Sequence, residues 1–422
     1  MLAPTGKAVQ RLRNDEKFPG IEAMTIDKFL TRFKHKRTFY ENVIIDEMSM
    51  VDLLKFRELM NCLFVDRDTF RRLILVGDPH QLPPIGFGKV FYDLVEFLRQ
   101  DEKGQDHYIN LATNCRQQLA ENRILEFSRL FMRDGDAPQD LLLSIASAHT
   151  VNTQISPGFH VEYCQTELEL KDAFLRHFDR LCSQENIPQC DLKIRLNQIL
   201  GLSPEGKNYD GALPTLDKFQ VLSPYRAEFY GTSGLNDLMQ KEFKNDVPFI
   251  KENSGYFKSG DKIIRTVNYY ENKDLLLSNG SIGVIQDEKN TVRLFFQELP
   301  NGNIVWDELR DDERENFEPA YCLTIHKSQG SGFEHVFIVI PAKMTLLSRE
   351  LLYTGLTRSK QSVTLLVQGE PTGDFEQTIF RKIRQRTYTA LRKTSLFHHT
   401  YWDYSLEPEP GVFVQSQQEY II

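Results

Sequence analysis

A chain of 422 residues exceeds the size at which a single hydrophobic core keeps growing, so two or three domains are expected. With 41% hydrophobic and 26% charged residues, no apolar run long enough to span a bilayer and no signal-type start, the composition is that of an ordinary globular chain with the cytoplasm as the default location. A net charge of −8 excludes coating of nucleic acid by charge alone while leaving room for a basic groove, and six cysteines without C-x-x-C pairing fit reduced thiols better than a metal site or a disulfide framework.

The chain opens "MLAPTGKAVQRL", where Gly6-Lys7 suggests a phosphate-binding loop. Such a loop reads G-x-x-x-x-G-K-[ST], its hydroxyl holding Mg²⁺. Here Ala8 follows the lysine and Met1 stands where the first glycine belongs, so the segment is not that cradle. A basic run, "KFLTRFKHKRTF" at 28–39, suits a solvated helix face or a phosphate contact equally, and "FKHKRTF" leaves room for a small strand-separating hairpin. Next, "NVIIDE" (42–47) is a β-branched strand ending in two carboxylates. Asp46 at such a place coordinates Mg²⁺ and Glu47 polarises a water in nucleoside triphosphatases. "RRLILVGD" (71–78) is a second strand, and Gln81 in the turn after it can bond both a terminal phosphate and a neighbouring domain.

"INLATNCRQ" brings Arg116, and "LELKDAFLRHFDRLC" is an amphipathic helix. Three further buried-type strands follow at 218–224, 335–341 and 362–367. Between them, residues 255–315 change texture to short strands punctuated by Gly, Asn and Asp, which reads as a small inserted barrel or meander. "YCLTIHKSQGSGFEHVFIVIP" then supplies Thr324, His326, Lys327 and Gln329, short donors and a cation suited to a sugar-phosphate chain. "RELLYTGLTRSK" carries Arg358, which with Arg116 can neutralise a transferred phosphoryl group across a domain boundary. The chain ends with a second basic run at 381–393 and a tail from 405 expected to be poorly ordered or docked on a partner.

In this order and spacing the segments resemble the motifs of superfamily-1 DNA helicases, most closely the RecD-like group, over about residues 1–370. "MLAPTGKAVQRL" is similar to the family's second motif, which implies that Pro4, Thr5 and Gly6 face single-stranded DNA together with Thr324, His326 and Lys327. The resemblance implies ATP and Mg²⁺ as cofactors, Gln81, Arg116, Gly330 and Arg358 on the nucleotide, and 5′ to 3′ movement. Two positions depart from the pattern: Asp27 replaces a usual histidine, and Gly332 replaces a nucleotide-contacting glutamate.

The expected fold is α/β, with two RecA-like parallel-sheet lobes and a small β-barrel inserted in the second. Residues 1–112 form a truncated first lobe, 113–254 and 316–370 the second, 255–315 the barrel and 371–422 a helix and tail. The family's phosphate loop does not precede "APTG", so a strand is expected to be missing from inside the first sheet, leaving that lobe marginal by itself. The expected function is that of the C-terminal bulk of a DNA helicase acting on single strands and their duplex junctions, inactive without an upstream phosphate loop. The alternatives are a non-catalytic strand-binding remnant and a RecD-type subunit of a nuclease-helicase complex.

Overall fold

The computed structural model describes residues 1–14, 20–35, 39–65, 69–111, 123–148, 153–207, 215–250, 257–271, 274–288, 291–296, 303–305 and 314–388. Its first lobe holds four parallel strands, β1 (Leu2–Ala3), β2 (Met24–Thr25), β3 (Asn42–Ile45) and β4 (Arg72–Leu75), in the order β2-β1-β3-β4. The first three helices of this lobe each start at a short polar cap. Thr5 Oγ1 accepts from Ala8 N–H at the start of α1 (Gly6–Asn14), and Thr25 Oγ1 from Lys28 N–H at the start of α2 (Ile26–His35). Asp52 accepts from Lys55 N–H and begins α3 (Leu53–Leu63), whose Phe56, Leu59 and Leu63 pack with Phe29, Val43, Ile45 and Met48. α4 (Val90–Gln100) adds Val90, Phe91 and Val95 to that core.

The four described strands of this lobe are contiguous: β1 bonds both β2 and β3, and β3 bonds β4. The open backbone edge among the described strands on the acidic-pair side is that of β4, which alternates between exposed and half-buried and leaves Ile74 46% exposed.

The second lobe begins with α5 (Ile124–Arg129) and α6 (Gln139–Ala146) and is built on six strands. They are β5 (Gln154–Ser156), β6 (Phe159–Cys164), β7 (Phe219–Ser223), and, after an insertion, the three later strands defined next. The insertion contributes β8 (Asp261–Arg265), β9 (Tyr269–Glu271), β10 (Asp274–Leu277), β11 (Ile282–Glu288), β12 (Thr291–Phe296), β13 (Asn303–Val305) and β14 (Phe317–Pro319). The chain then returns through β15 (Cys322–Thr324), β16 (Phe333–Ile340) and β17 (Ser359–Gln368). The six-stranded order is β15-β7-β16-β17-β6-β5, parallel except for β5.

On one face of this sheet lie α7 (Glu167–Gln184), α8 (Leu192–Ile199) and α9 (Thr232–Phe243). Phe174, Phe178, Phe219, Phe243 and Phe337 meet there edge to face with ring centroids 4.8 to 6.3 Å apart. α10 (Arg349–Leu356) and α11 (Ile379–Gln385) also pack on the lobe, Phe380 and Ile383 reaching its core. The basic run at 381–393 is partly accounted for: Arg384 donates to Gly135 O and Arg386 to Leu347 O, holding α11 down.

Where a barrel was expected, the structure has a five-stranded antiparallel sheet, β13-β12-β11-β8-β14, and a separate β9–β10 hairpin. Its outer strands β13 and β14 are not paired with each other among the described residues. Its root is a buried polar knot. Lys262 Nζ donates to Leu216 O, Phe219 O and Gln220 Oε1, each at 2.8 Å, and Asp261 accepts from Gln240 Nε2, Lys258 N–H and Tyr321 O–H. Those bonds tie the inserted sheet to β7 and α9, so it is carried by the second lobe. Residues 36–38 of the expected hairpin and the tail from 405 lie outside the described residues.

Candidate nucleotide and nucleic-acid cleft

Asp46 and Glu47 leave the end of β3, and Asp46 N–H donates to Leu2 O at 2.9 Å. Glu47 has φ of 52°, a left-handed conformation that costs a non-glycine residue about 1–3 kcal/mol and is retained where the surroundings over-determine it. The turn Met48–Met50 follows at once, with Met48 N–H donating to Val76 O, so the acidic pair is clamped between β3 and the end of β4. From α1, Arg11 Nη2 donates to Asp46 Oδ2 at 2.8 Å and to Glu47 Oε1 at 3.3 Å. Although burial works against its charge, the two carboxylates raise the Arg11 guanidinium above its ordinary range.

The turn after β4 faces the second lobe. Gln81 N–H donates to Asp78 O, while its Oε1 is buried and unpartnered, as is Ser49 Oγ. Both residues line a small cavity with Asp78, Lys89 and Tyr92. Leu82, the next residue, is 1% exposed and belongs to the core of the second lobe. Its N–H donates to Thr354 Oγ1 and its carbonyl accepts from Gln329 Nε2. Beside it Tyr353 O–H donates to Asp78 Oδ2 at 2.9 Å, and the Tyr353 ring meets His80 edge-on. Burial pulls the His80 pKa down, which keeps that imidazole neutral at pH 7. Sequence reasoning gave the inter-lobe link to Gln81; the bonds recorded across the boundary belong to Leu82, Asp78 and Tyr353. An apolar residue between Gln81 and two prolines in a polar turn was the available signal.

Two hard carboxylate oxygen donors, with no group of three or more His, Cys, Asp or Glu among the described residues, suit Mg²⁺. That ion is held by one or two carboxylates plus the phosphates it accompanies. Asp46, at the end of β3, would be the residue to hold it. A second G-x-x-x-x-G-K spacing, missed in the sequence, occurs at Gly201–Lys207 and is followed by Asn208. It is no phosphate cradle: it follows helix α8, and the N–H groups of Gly201, Leu202, Ser203, Gly206 and Lys207 donate to Gln198 O, Asn197 O, Lys207 O, Ser203 O and Ser203 Oγ.

On the expected strand-contacting side, Pro4 and Thr5 are half-buried and Gly6 begins α1. Since Thr5 Oγ1 accepts the helix-capping bond, its hydroxyl proton remains a donor for a phosphate oxygen. Thr324 ends β15 and likewise accepts from Lys327 N–H. His326 is half-buried in the same turn. Lys327 Nζ is held by Glu318 Oε2 at 2.6 Å, and Glu318 also takes Arg226 at 2.8 Å, so one carboxylate masks two cations. Asp27 pairs with Lys55 on the first lobe.

Arg358 is 1% exposed and donates to Thr354 O and Ser331 O of its own lobe. Gly330 adopts φ of 72° in the adjoining turn, a conformation glycine takes without strain. A Cβ at Gly332 would meet the flexible Lys360 side chain at 3.3 Å and Arg358 O at 3.8 Å, so a longer side chain there requires Lys360 to move aside. Arg116 lies outside the described residues.

Residues 1–152 match the AAA domain family and residues 319–366 the UvrD-like helicase C-terminal domain. The RecBCD enzyme subunit RecD of Mycolicibacterium smegmatis is 29% identical over 93% of this chain and 65% of that protein. The ATP-dependent RecD2 DNA helicase of Deinococcus radiodurans is 28% identical over 85% of this chain and 41% of that protein. A crystal structure of Bacteroides Pif1 bound to ssDNA aligns with 90% of this chain and 85% of its own, at 16% identity and a TM-score of 0.40. The chain thus spans less than two thirds of the length of these curated relatives. With the two domain matches at its two ends and RecD proteins aligned along nearly its whole length, the chain is similar throughout to the RecD-like superfamily-1 helicases.

Proposed function

We propose that this chain forms the two-lobed engine of an ATP-dependent translocase that moves 5′ to 3′ along single-stranded DNA and opens its junctions with duplex. The observation that carries the reading is the bonding of Leu82, whose N–H and carbonyl are both held by the second lobe one residue after Gln81. A change at the Gln81 side chain therefore reaches α10, which also carries Tyr353 and lies two residues before Arg358.

The nucleotide lies between the acidic pair and the second lobe. Asp46 holds Mg²⁺, which when bound supplies positive charge to the phosphates. Glu47 orients the attacking water and takes its proton. Gln81 Oε1, buried without a partner, accepts from that water. Arg116 and Arg358 neutralise the charge developing on the phosphoryl group, and Gly330 lets the backbone turn beside it. Lobe closure and reopening alternate the grip of Thr5 and Thr324 on the strand, a population shift driven by nucleotide contacts. The RecD relatives bear the name of a RecBCD subunit, and a nuclease-helicase assembly is the protein partnership this reading favours.

The test is ATP hydrolysis with and without single-stranded DNA, measured alongside DNA binding. Glu47→Gln is expected to lower stimulated hydrolysis by about 10²-fold or more while leaving DNA binding intact. A folded chain that binds DNA and hydrolyses nothing supports the second reading, a strand-binding module, which the glycine at 332 favours.

A further inference from the structure

α1 leaves the Pro4-Thr5-Gly6 turn, and Arg11 lies five residues along it, about 7.5 Å down the axis. Helix side chains lean toward the helix N-terminus, so the guanidinium reaches back to the strand ends where the acidic pair sits. A single nitrogen, Nη2, bridges Asp46 Oδ2 and Glu47 Oε1. The side chains of Asp46 and Glu47 are 16% and 12% exposed and that of Arg11 is 47% exposed, so the cation caps two largely buried carboxylates from the solvent side. Ala8 and Val9 of α1 pack in a small core beside Ala3 and Ala23.

As a fold-stabilising contact this pairing is worth little, because a half-exposed arginine gains modestly from an ion pair in water. Its effect falls on the carboxylates. Two adjacent negative charges repel, and one of them sits on a strained backbone. A guanidinium across both relieves that repulsion without a metal. The same oxygens cannot serve Arg11 and a divalent cation in its inner shell at once, and the two cations repel each other.

We propose that Arg11 is a built-in counter-ion of the acidic pair: it holds Asp46 and Glu47 while no divalent cation is bound and competes with the cation for them. Because Arg11 rides on the helix that starts at the strand-contacting turn, a DNA phosphate held by Thr5 draws α1 toward the strand and loosens the Arg11 bridge. Arg11 is thus a positioning residue that couples strand occupancy to metal entry. The coupling rests on the proposed function, whereas the competition rests on the geometry alone.

The experiment titrates Mn²⁺ alone into the full chain, without nucleotide, and follows free Mn²⁺ by electron paramagnetic resonance. Arg11→Gln is expected to tighten Mn²⁺ binding about three- to tenfold, with Arg11→Lys between it and the parent, and Asp46→Asn to remove the site in every background. Oligothymidylate is expected to tighten Mn²⁺ binding to the parent and to leave Arg11→Gln unchanged. Equal or weaker binding by Arg11→Gln, or binding indifferent to Asp46→Asn, overturns the competition. A parent that ignores oligothymidylate, though it binds it, overturns the coupling. Mn²⁺ binding is read without ATP, so a shifted Mn²⁺ affinity keeps the counter-ion even where the separate hydrolysis assay fails the proposed function, and an unshifted affinity beside intact hydrolysis removes the counter-ion only.

Discussion

β4 and β17 are both strands of parallel sheets, yet their surroundings differ. β17 lies between β16 and β6 and buries Val363, Leu365, Leu366 and Val367 completely, whereas β4 bonds β3 and leaves Ile74 46% exposed. Parallel sheets are stable when both faces and most edges are covered. The second lobe meets that condition with helices on its faces and an inserted sheet rooted at its edge. The first lobe meets it in part, and a share of its cohesion comes from outside, through Leu82 seated in the other lobe's core. A lobe that borrows its anchorage is suited to moving as a unit when the anchor shifts.

The sharpest way to break the contrast is native-state hydrogen exchange. Amides of β3 and β4 are expected to exchange through openings about 3 kcal/mol or more easier than those of β16 and β17. Equal protection of residues 42–45 and 336–340 would remove the claim that the first lobe is the weaker one. Next in size, Lys262→Met leaves three buried carbonyl oxygens without their donor and is expected to cost about 3 kcal/mol in chemical denaturation, since Lys262 is 1% exposed. A change under 1 kcal/mol would show that the inserted sheet is not rooted there.

Leu82→Ala is expected to cost about 2–3 kcal/mol, and to speed exchange in the first lobe while sparing β16 and β17. Uniform loss across both lobes would mean that they unfold as one body. The smallest effect is on binding. Glu318→Gln frees Lys327 and Arg226, and is expected to tighten single-stranded DNA binding about two- to fivefold with a steeper salt dependence. Unchanged affinity in a filter-binding salt series would take Lys327 off the DNA path.

Much of this arrangement could be read along the chain because it is local. β-branched runs at 42–45, 219–223 and 333–340 are strands, and the Asp46-Glu47 pair sits at a strand end, because side-chain period and strand-end position are written in consecutive residues. Sheet order was not local. The order β2-β1-β3-β4 of the first sheet, the antiparallel order β13-β12-β11-β8-β14 of the insertion and the edge position of β4 depend on which strands find each other, and no residue in β4 announces its neighbour.

The candidate site divides in the same way. The sequence by itself determined the chemistry on offer: the acidic pair, the Gln81 turn, the hydroxyls of Thr5 and Thr324 and the cations near them. Only the tertiary structure decided which of those groups are already engaged. Arg11 caps Asp46 and Glu47 from 35 and 36 residues away, Glu318 masks Lys327 and Arg226, and Thr354 reaches Leu82 across 272 residues. Ion pairs and lobe contacts act over ångströms in space, and a chain that folds back on itself places those partners wherever its buried surfaces require.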